Sequence, residues 1–297
     1  MKFTIYQESR LGRRKTNQDR VIYRYTHEAL LMVVADGMGG HANGEIAAEV
    51  AAGFITEAFG REANPRLSHP FIFLSQILSG AHQAIVDAAR RSGLADSPRT
   101  TCVVCVVQDG AAYWAHSGDS RLYLLRNGEI VARTRDHSKV QFLLEQGLIN
   151  EEEAQNHPDR NQVLSCLGGE RSPQVTCSRK TPLKAGDVIA LCTDGAWAPL
   201  DGEELAGALC NTDVMAAVPA FLDRAEAGAA SNGDNATIVA MCWEAETVGG
   251  GAGVVDTDIV ELDEIERGRP LEPELSDEDI EIAVAMIRAQ HPFPPEH

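Results

Sequence analysis

Aspartates stand at the ends of several apolar segments of this sequence, where side chains from neighbouring strands can meet. Asp36 directly follows the apolar run 29–35, Asp194 closes a second such run, and Asp234 stands just before a third. With two more beside strand-like segments, the full set is Asp19, Asp36, Asp119, Asp194 and Asp234. Clustered carboxylates repel one another unless a cation compensates their charge, and Mg²⁺ and Mn²⁺ prefer oxygen ligands. The pattern therefore predicts a divalent-metal site at one edge of a sheet.

The glycine-rich segment after Asp36 allows a second interpretation. Residues 37–42 fit the G-x-G-x-x-G/A pattern of dinucleotide-binding proteins, between a predicted strand and a predicted helix. However, Asp36 would place a negative charge beside the pyrophosphate. The segments that follow also predict a helix and antiparallel strands rather than a parallel strand with an acidic residue. A dinucleotide-binding oxidoreductase is therefore the weaker alternative.

Apolar periodicity indicates the elements that must position these residues. The run 29–35 predicts a buried strand, and two helices follow, one from residue 44 with Asn43 as its cap and one over about 71–92. Four strand-like segments then predict one antiparallel meander, with the Asn127-Gly128 pair as a strong hairpin signal. These segments are 100–107, 111–117, 120–126 and 129–134.

The last part of the body repeats this pattern of strands and helices. A buried strand leads into a predicted Asp194-Gly195 turn, and a helical stretch covers about 202–228. The apolar run 235–243 predicts the strand that closes the body. The aspartates thus fall where strands end, which is where a sheet can bring them together.

Composition limits the class of protein. The chain has 297 residues, 44% hydrophobic and 24% charged, which is ordinary globular usage. No apolar run approaches the ~18 residues that a membrane-spanning helix needs, and a net charge of -18 disfavours nucleic acid and anionic membranes as partners. No secretory signal is visible and the seven cysteines are scattered, so we expect a cytoplasmic protein with reduced thiols. Cys102 and Cys105 would point to opposite faces of a strand, which favours two core thiols over a zinc or redox pair.

Six motifs in order give the sequence a specific resemblance to a known family. They are Arg14-x-x-Asn17-Gln18-Asp19, Asp36-Gly-Met-Gly-Gly-His41, Thr100-Thr101, Gly118-Asp119-Ser120-Arg121, Asp194-Gly195 and Gly233-Asp234-Asn235-x-Thr237. A single Asp-Gly pair is usually a turn, but the ordered set resembles the bacterial branch of the metal-dependent PPM/PP2C-type Ser/Thr protein phosphatases over about residues 5–244. The resemblance implies an α+β fold, a PP2C-like α/β sandwich of two antiparallel sheets packed together and flanked by helices, with a flap insert.

The resemblance also implies two Mn²⁺ or Mg²⁺ ions in one active site. Asp36 would bridge both ions, and Gly37 would offer its backbone carbonyl. Asp194 and Asp234 would complete the ligands of the second ion, and Asp119, together with Asp194, would suit a weaker third ion. Asp36 and Asp194 are thereby expected to be catalytic as well as metal-binding residues.

The same resemblance implies the substrate and the reaction. Arg14 would bind the substrate phosphate, since a guanidinium fork matches phosphate oxygens, and Asp19 would hold metal-bound water. Water held between the two ions would attack the phosphorus of a phosphoserine or phosphothreonine protein directly, with no covalent phosphoenzyme. A functional pairing with a Ser/Thr kinase follows from such a reaction. The alternative is a catalytically silent phosphatase-like binding module, against which the intact set of Asp36, Asp194 and Asp234 argues.

The sequence departs from the family at the expected general acid. Eukaryotic relatives have a histidine where Met38 stands, and methionine has no proton to donate to the leaving alkoxide. His41 is the nearest replacement, with an unperturbed pKa near ~6.5. Two interpretations stay open: His41 is the acid, or it braces the turn or binds substrate while metal-bound water is the acid.

Three further features have expected roles outside the metal site. The insert around 137–165 matches the position of the family's flap and either selects substrates or is a solvated loop containing a short helix at about 140–146. Arg121 is expected to pair with carboxylates inside the fold, and Trp197 is expected to pack rather than to recognise substrate.

The domain organisation divides the chain at residue 245. Residues 1–245 are expected to form the phosphatase domain, and 246–297 to form an acidic flexible tail with a short helix at about 277–290. The tail has 14 acidic and three basic residues after a glycine-rich linker. It is a solvating tail, a segment that docks a partner protein through a helical face, or a segment that folds back to the metals with acids that imitate phosphate; the first two are favoured.

Overall fold

Two antiparallel sheets form the centre of the fold. The computed structural model describes residues 1–38, 43–94, 96–200, 202–210, 213–229 and 233–244, all within the unit Met1–Ala245. Strands are numbered along the chain. The first sheet has five strands, in spatial order β1 (Lys2–Arg10), β13 (Ala236–Glu244), β12 (Val188–Cys192), β7 (Arg121–Arg126) and β8 (Glu129–Arg133).

The second sheet is built around the strand that ends at Asp36. Its spatial order is β10 (Thr176–Cys177), β6 (Ala111–Ser117), β5 (Cys102–Gln108), β3 (Ala29–Asp36) and β2 (Asp19–Tyr25), and β11 (Thr181–Pro182) also pairs with β6. A separate short pair joins β4 (Arg99–Thr100) to β9 (Leu167–Gly168). Every strand pair among the described residues is antiparallel. The parallel strand that a dinucleotide-binding fold requires is therefore missing from this part of the chain.

Helices cover the outer face of each sheet. They are α1 (Gly44–Glu62), α2 (Pro70–Arg91), α3 (Lys139–Glu145), α4 (Glu151–Gln155), α5 (Asp194–Trp197), α6 (Gly202–Cys210) and α7 (Val214–Gly228). Helices α1 and α2 bury apolar residues against the β3 sheet, and α6 and α7 do the same against the β12 sheet. A third apolar cluster lies between the sheets and draws side chains from both. The predicted α+β sandwich with flanking helices is confirmed.

Strand alternation places the two cysteines of the C-x-x-C pair in different cores. Cys102 lies in the cluster beneath α1 and α2, whereas Cys105 lies between the sheets. Both thiols are fully buried and free. This confirms two core thiols on opposite faces of β5.

The predicted single meander is wrong. The segments 111–117 and 121–126 are consecutive in sequence but belong to different sheets, because β6 pairs with β5 while β7 pairs with β12 and β8. The chain changes sheet at Gly118, whose φ is +113 and whose missing Cβ would lie 2.5 Å from the Thr101 Cβ. The Asn127-Gly128 hairpin is confirmed, since both residues have positive φ and join β7 to β8.

Three local predictions also need correction. Asn43 does not cap α1 with its side chain; it adopts a left-handed conformation with φ of 68, and only its backbone carbonyl accepts bonds from the first turn. Asp194-Gly195 is not an isolated turn but the start of α5. The helical stretch at about 202–228 is two helices, α6 and α7.

The insert at 137–165 contains two short helices instead of one. Ser138 caps α3 by accepting a bond from the Gln141 backbone, and Asn150 forms a capping box at α4. The two ends of the insert lie side by side. Lys139 N donates to Gln162 O at 2.9 Å, and Leu164 N donates to His137 O at 2.7 Å. Its role as a flap stays a prediction, and the predicted tail helix lies outside the described residues. No helix in the described ranges is long and apolar enough to cross a membrane.

Candidate functional site

The predicted aspartates converge at one end of the sandwich. Asp19 begins β2 and Asp36 ends β3, and the two face each other in the strand register. Asp194 begins α5, two residues after the end of β12, and Asp234 stands two residues before β13. Asp119 lies in the crossover between the sheets. Strands from both sheets thus bring carboxylates to the same end.

Mutual repulsion and burial show how close these groups are. The pKa of Asp36 lies well above its usual value, first because the carboxyl is buried and then because Asp19, Asp194, Asp119 and Asp234 surround it. A carboxyl that faces four others cannot ionise cheaply without a compensating cation. The cluster is therefore electrostatically incomplete by itself.

Three more members of the cluster have raised pKa values. Burial raises the pKa of Asp19 to about 7, against the effect of hydrogen bonds from Thr193 and Thr237. Burial and the neighbouring Asp194 carboxyl raise the pKa of Asp119 to about 8. The pKa of Asp194 rises to about 6, again mainly through burial and then through Asp234. Perturbed pKa values that cluster in this way are typical of functional sites.

The donor set fits hard divalent cations. Asp194 Oδ1 is buried and has no hydrogen-bond partner in the described part of the chain, so one carboxylate oxygen is available inside the cluster. No three His, Cys, Asp or Glu side chains in the described ranges are close enough to enclose an ion by themselves. Mg²⁺-like ions keep several waters and take one or two protein carboxylates, so a donor set of aspartate oxygens suits them.

Glycine is required at two positions of the site. A Cβ on Gly37 would lie 2.4 Å from the Gly44 carbonyl oxygen and 2.8 Å from that of Gln18. A Cβ on Gly195 would lie 2.1 Å from the Asn235 carbonyl oxygen. The Asp-Gly pairs therefore have a packing cause, because backbone from another segment crosses directly over each glycine.

Arg14 is the cation that lies beside the cluster. Its Nη2 donates to Asp234 Oδ2 at 2.5 Å, and the Asp234 carboxylate, followed by Asp194 and Asp36, raises the arginine pKa. The Arg14 side chain is 51% exposed and that of Asp234 is 39% exposed. The guanidinium therefore lies at the open edge of the site, within reach of an anion that approaches from solvent.

Two threonines that the motif analysis left without a role hold Asp19 in place. Thr193 Oγ1 donates to Asp19 Oδ2 at 2.9 Å, and the Thr237 backbone N–H donates to Thr193 Oγ1 at 3.0 Å. Both threonines are fully buried. Thr193 lies one residue before Asp194, and Thr237 lies three residues after Asp234. This proximity to the motif aspartates was the sequence signal that could have identified the two threonines as site residues.

Arg121 and Trp197 link the Asp119 crossover to the helix that begins at Asp194. Arg121 makes two bonds of 2.8 Å to Asp136 and lies 3.3 Å above the Trp197 ring. Trp197 Nε1 donates to the Asp119 backbone carbonyl at 3.1 Å. The predicted internal pairing of Arg121 with a carboxylate is confirmed, and Trp197 packs against this pair as expected. His41, the candidate acid, lies outside the described residues.

The sequence matches the family model described as Protein phosphatase 2C over residues 6–235. This range contains Arg14 and the five aspartates of the site. It leaves out the segment from 246 onward.

Curated relatives are bacterial phosphatases. The chain is 30% identical over 227 residues to the serine/threonine protein phosphatase PstP of Mycobacterium tuberculosis (strain ATCC 25618 / H37Rv). The aligned region covers 74% of this chain and 43% of PstP. The chain is 32% identical over 204 residues to protein phosphatase PhpP of Streptococcus pneumoniae serotype 2 (strain D39 / NCTC 7466), covering 66% of this chain and 79% of the relative. The chain thus spans less than half the length of PstP.

The fold is also similar to that of a solved PstP structure. The crystal structure of the PstP catalytic domain in complex with two manganese ions aligns with a TM-score of 0.67 and 27% identity, covering 81% of this chain and 97% of that one. The resemblance therefore includes nearly the whole catalytic domain of that protein.

Proposed function

The chain belongs to the protein phosphatase 2C family, and from this membership we propose that it is a metal-dependent phosphatase that acts on phosphoserine and phosphothreonine in proteins. One observation supports this most strongly: five buried or half-buried aspartates from separate segments converge beside a half-exposed arginine. A silent binding module would have no need to keep so many repelling carboxylates together. The relatives named as Ser/Thr protein phosphatases support the same substrate class.

We assign the metal ligands from this cluster. Asp36 holds the central position, since every other aspartate of the cluster raises its pKa; Gly37 contributes its carbonyl, and Asp194 and Asp234 hold the second ion. When bound, the ions supply the charge that lowers the pKa of a water nucleophile and offsets the charge of the phosphoryl oxygens. Two Mn²⁺ or Mg²⁺ ions are proposed, as the manganese-bound PstP structure supports. Asp119 with Asp194 forms a weaker third site.

Arg14 and Asp19 act around these ligands. Arg14 binds the phosphoryl oxygens through its guanidinium fork and orients the substrate at the open edge of the site. Asp19 is 3% exposed and accepts a hydrogen bond from Thr193, and we assign its carboxylate to orient water in the site. Arg14 lies in the loop between β1 and β2, and Asp19 begins β2 at the end of that loop.

His41 is proposed as the acid that protonates the leaving alkoxide, since Met38 has no proton to give. The matched test is the pH profile of phosphopeptide hydrolysis for His41→Ala. A loss of rate that an acidic buffer partly restores supports the assignment. An unchanged rate at every pH assigns the proton to water.

The biological context follows from the reaction. Removal of phosphate from serine or threonine reverses a Ser/Thr kinase, so we propose that the protein opposes such a kinase. The acidic segment 246–297 is proposed to solvate the domain or to bind a partner protein. A several-fold rise in activity when it is deleted favours instead a segment that folds back to the site.

The decisive experiment is hydrolysis of a phosphothreonine peptide with and without Mn²⁺ by the full chain and by Asp194→Asn. Phosphate release that requires metal and disappears in Asp194→Asn supports the function. Asp87→Asn is the matched control, because Asp87 forms an exposed ion pair with Arg90 on α2 and has no role in the site. A folded protein that releases no phosphate with either Mn²⁺ or Mg²⁺ overturns the proposal.

A further inference from the structure

The segment that carries Arg14 is a loop between strands of different sheets. Residues 11–18, called here the Arg14 loop, connect β1 in one sheet to β2 in the other, and residues 11–16 are exposed. An exposed loop with a long cationic side chain loses conformational freedom when it binds an anion. Something must hold the loop if Arg14 is to stay beside the carboxylates.

One buried side chain makes three hydrogen bonds to the backbone of this loop. Asn235 is 4% exposed, and its Oδ1 accepts from Gln18 N at 2.9 Å. Its Nδ2 donates to Leu11 O at 2.8 Å and to Thr16 O at 3.1 Å. An asparagine amide has one carbonyl and two N–H groups, and here all of them are directed at the two ends of the loop.

The backbone on either side of Asn235 supports the same loop. Arg13 N donates to Gly233 O at 3.1 Å. Gly12 has φ of +58, and a Cβ there would lie 2.1 Å from the Asp234 carbonyl oxygen. The Arg14 loop is therefore built onto the segment 233–235, which also carries Asp234.

We propose that Asn235 is a positioning residue that holds the Arg14 loop so that the guanidinium remains at the site for the substrate phosphate. The effect of Asn235 on catalysis rests on the proposed function, whereas the contact between Asn235 and the Arg14 loop does not depend on it. This contact links two groups that are far apart in the sequence, because the same short segment presents Asp234 to the cluster and fixes Arg14 above it.

Amide hydrogen exchange tests the contact without any assay of activity. In Asn235→Ala we expect the Gln18 amide to exchange about tenfold faster, the size of change that one lost buried hydrogen bond produces. Gln108→Ala is the matched control: Gln108 is 3% exposed and holds another segment through two bonds to the Leu67 backbone. That control should speed exchange at Leu67 and leave Gln18 unchanged. Unchanged protection of the Arg14 loop in Asn235→Ala overturns the proposal.

A double-mutant cycle tests the consequence for substrate. Asn235→Ala should raise the KM for a phosphothreonine peptide about tenfold with a smaller effect on kcat, and Arg14→Gln should do the same. The double variant should be no worse than Arg14→Gln alone, since the loop matters through Arg14. Strictly additive losses, or a change confined to kcat, overturn the positioning role.

A second variant and the wild-type activity separate failure of this inference from failure of folding or of the proposed function. Should Asn235→Ala fail to fold, Asn235→Ser is the second variant, since it shortens the side chain and removes the amide without adding a buried charge, and the same exchange and KM changes are expected. If the wild-type chain hydrolyses no phosphopeptide, the proposed function fails while the exchange result still decides whether Asn235 holds the loop.

Discussion

Arg14 and Asp234 form a short ion pair, with Nη2 lying 2.5 Å from Oδ2, at the open edge of a cluster of buried carboxyls. The two residues are separated by almost the whole domain in sequence. Both side chains are accessible to solvent, so the pair contributes little to stability. The pair matters because the Asp234 carboxylate contacts Arg14, the candidate phosphate-binding residue, and is itself a candidate metal ligand.

Replacement of Arg14 by glutamine should separate phosphate binding from folding. We expect kcat/KM for a phosphothreonine peptide to fall by about 10–100-fold, since charge-assisted hydrogen bonds are worth about 1.5–3 kcal/mol. The melting temperature should hardly change. Arg90→Gln, which removes an exposed ion pair on α2, should change neither quantity. Weaker Mn²⁺ binding by Arg14→Gln in calorimetry would contradict the assignment of Arg14 to phosphate.

Asp194→Asn should stabilise the metal-free protein while it removes stabilisation by metal. The folded pKa of about 6 lies above the ordinary value of 3.8, so this carboxyl contributes stability that is present below pH 3.8 and is lost as the pH rises through 6. At pH 7 without metal, the neutral amide should therefore gain about 3 kcal/mol in free energy of unfolding. Urea denaturation with and without Mn²⁺ measures both effects. An Asp194→Asn protein that is less stable without metal, or still stabilised by Mn²⁺, would refute this account.

The convergence of the aspartates was easier to predict from the sequence than the pairing of the strands around them. The aspartates could be identified because both their residue type and their position at the ends of apolar runs can be seen directly in the sequence. Strand pairing could not be predicted in the same way, because β6 and β7 are consecutive in sequence, yet the crossover at Gly118 places them in different sheets. Neighbouring strands in sequence usually pair, and here that rule fails.

The supporting residues were harder to predict than the charged ones. Asn235 stands inside a recognised motif, but its bonds to Leu11, Thr16 and Gln18 depend on β1 and β13 lying side by side. Thr193 likewise reaches Asp19 only through the packed sheets. A side chain that bonds to distant backbone leaves no periodic signal in the sequence, which is why these roles required the structure.

Gly37→Ala and Gly53→Ala should have opposite effects. A Cβ at Gly37 would lie 2.4 Å from the Gly44 carbonyl oxygen, whereas one at Gly53 meets no atom within 4 Å. Gly53 lies in the middle of α1, where alanine is favoured over glycine by about 0.5–1 kcal/mol. We expect Gly53→Ala to raise the melting temperature with unchanged activity, and Gly37→Ala to lower it and to weaken Mn²⁺ binding at least tenfold. Equal behaviour of the two variants in thermal melts and calorimetry would contradict the close approach at Gly37.

His137 should make the domain less stable in mild acid. It stacks on His116 at a ring distance of 4.6 Å, and its Nε2 lies 2.9 Å from the Thr176 hydroxyl. Burial and the neighbouring His116 lower its pKa to about 3. Because the folded pKa is below the ordinary 6.5, this histidine contributes stability that is present above pH 6.5 and is lost as the pH falls towards 3.

The size of this loss can be measured by difference. Between pH 7.5 and pH 5, protonation of the unfolded chain at His137 should reduce the free energy of unfolding by about 2 kcal/mol. His137→Phe retains an aromatic ring against His116 but cannot take a proton, so this part of the pH dependence should disappear although the variant is less stable at pH 7.5. Urea denaturation of both proteins in metal-free buffer at the two pH values gives the comparison. The contribution of the carboxyl cluster to the pH dependence cancels in the difference, because both proteins contain the cluster. Equal losses in the two proteins would show that His137 is not a source of the acid sensitivity.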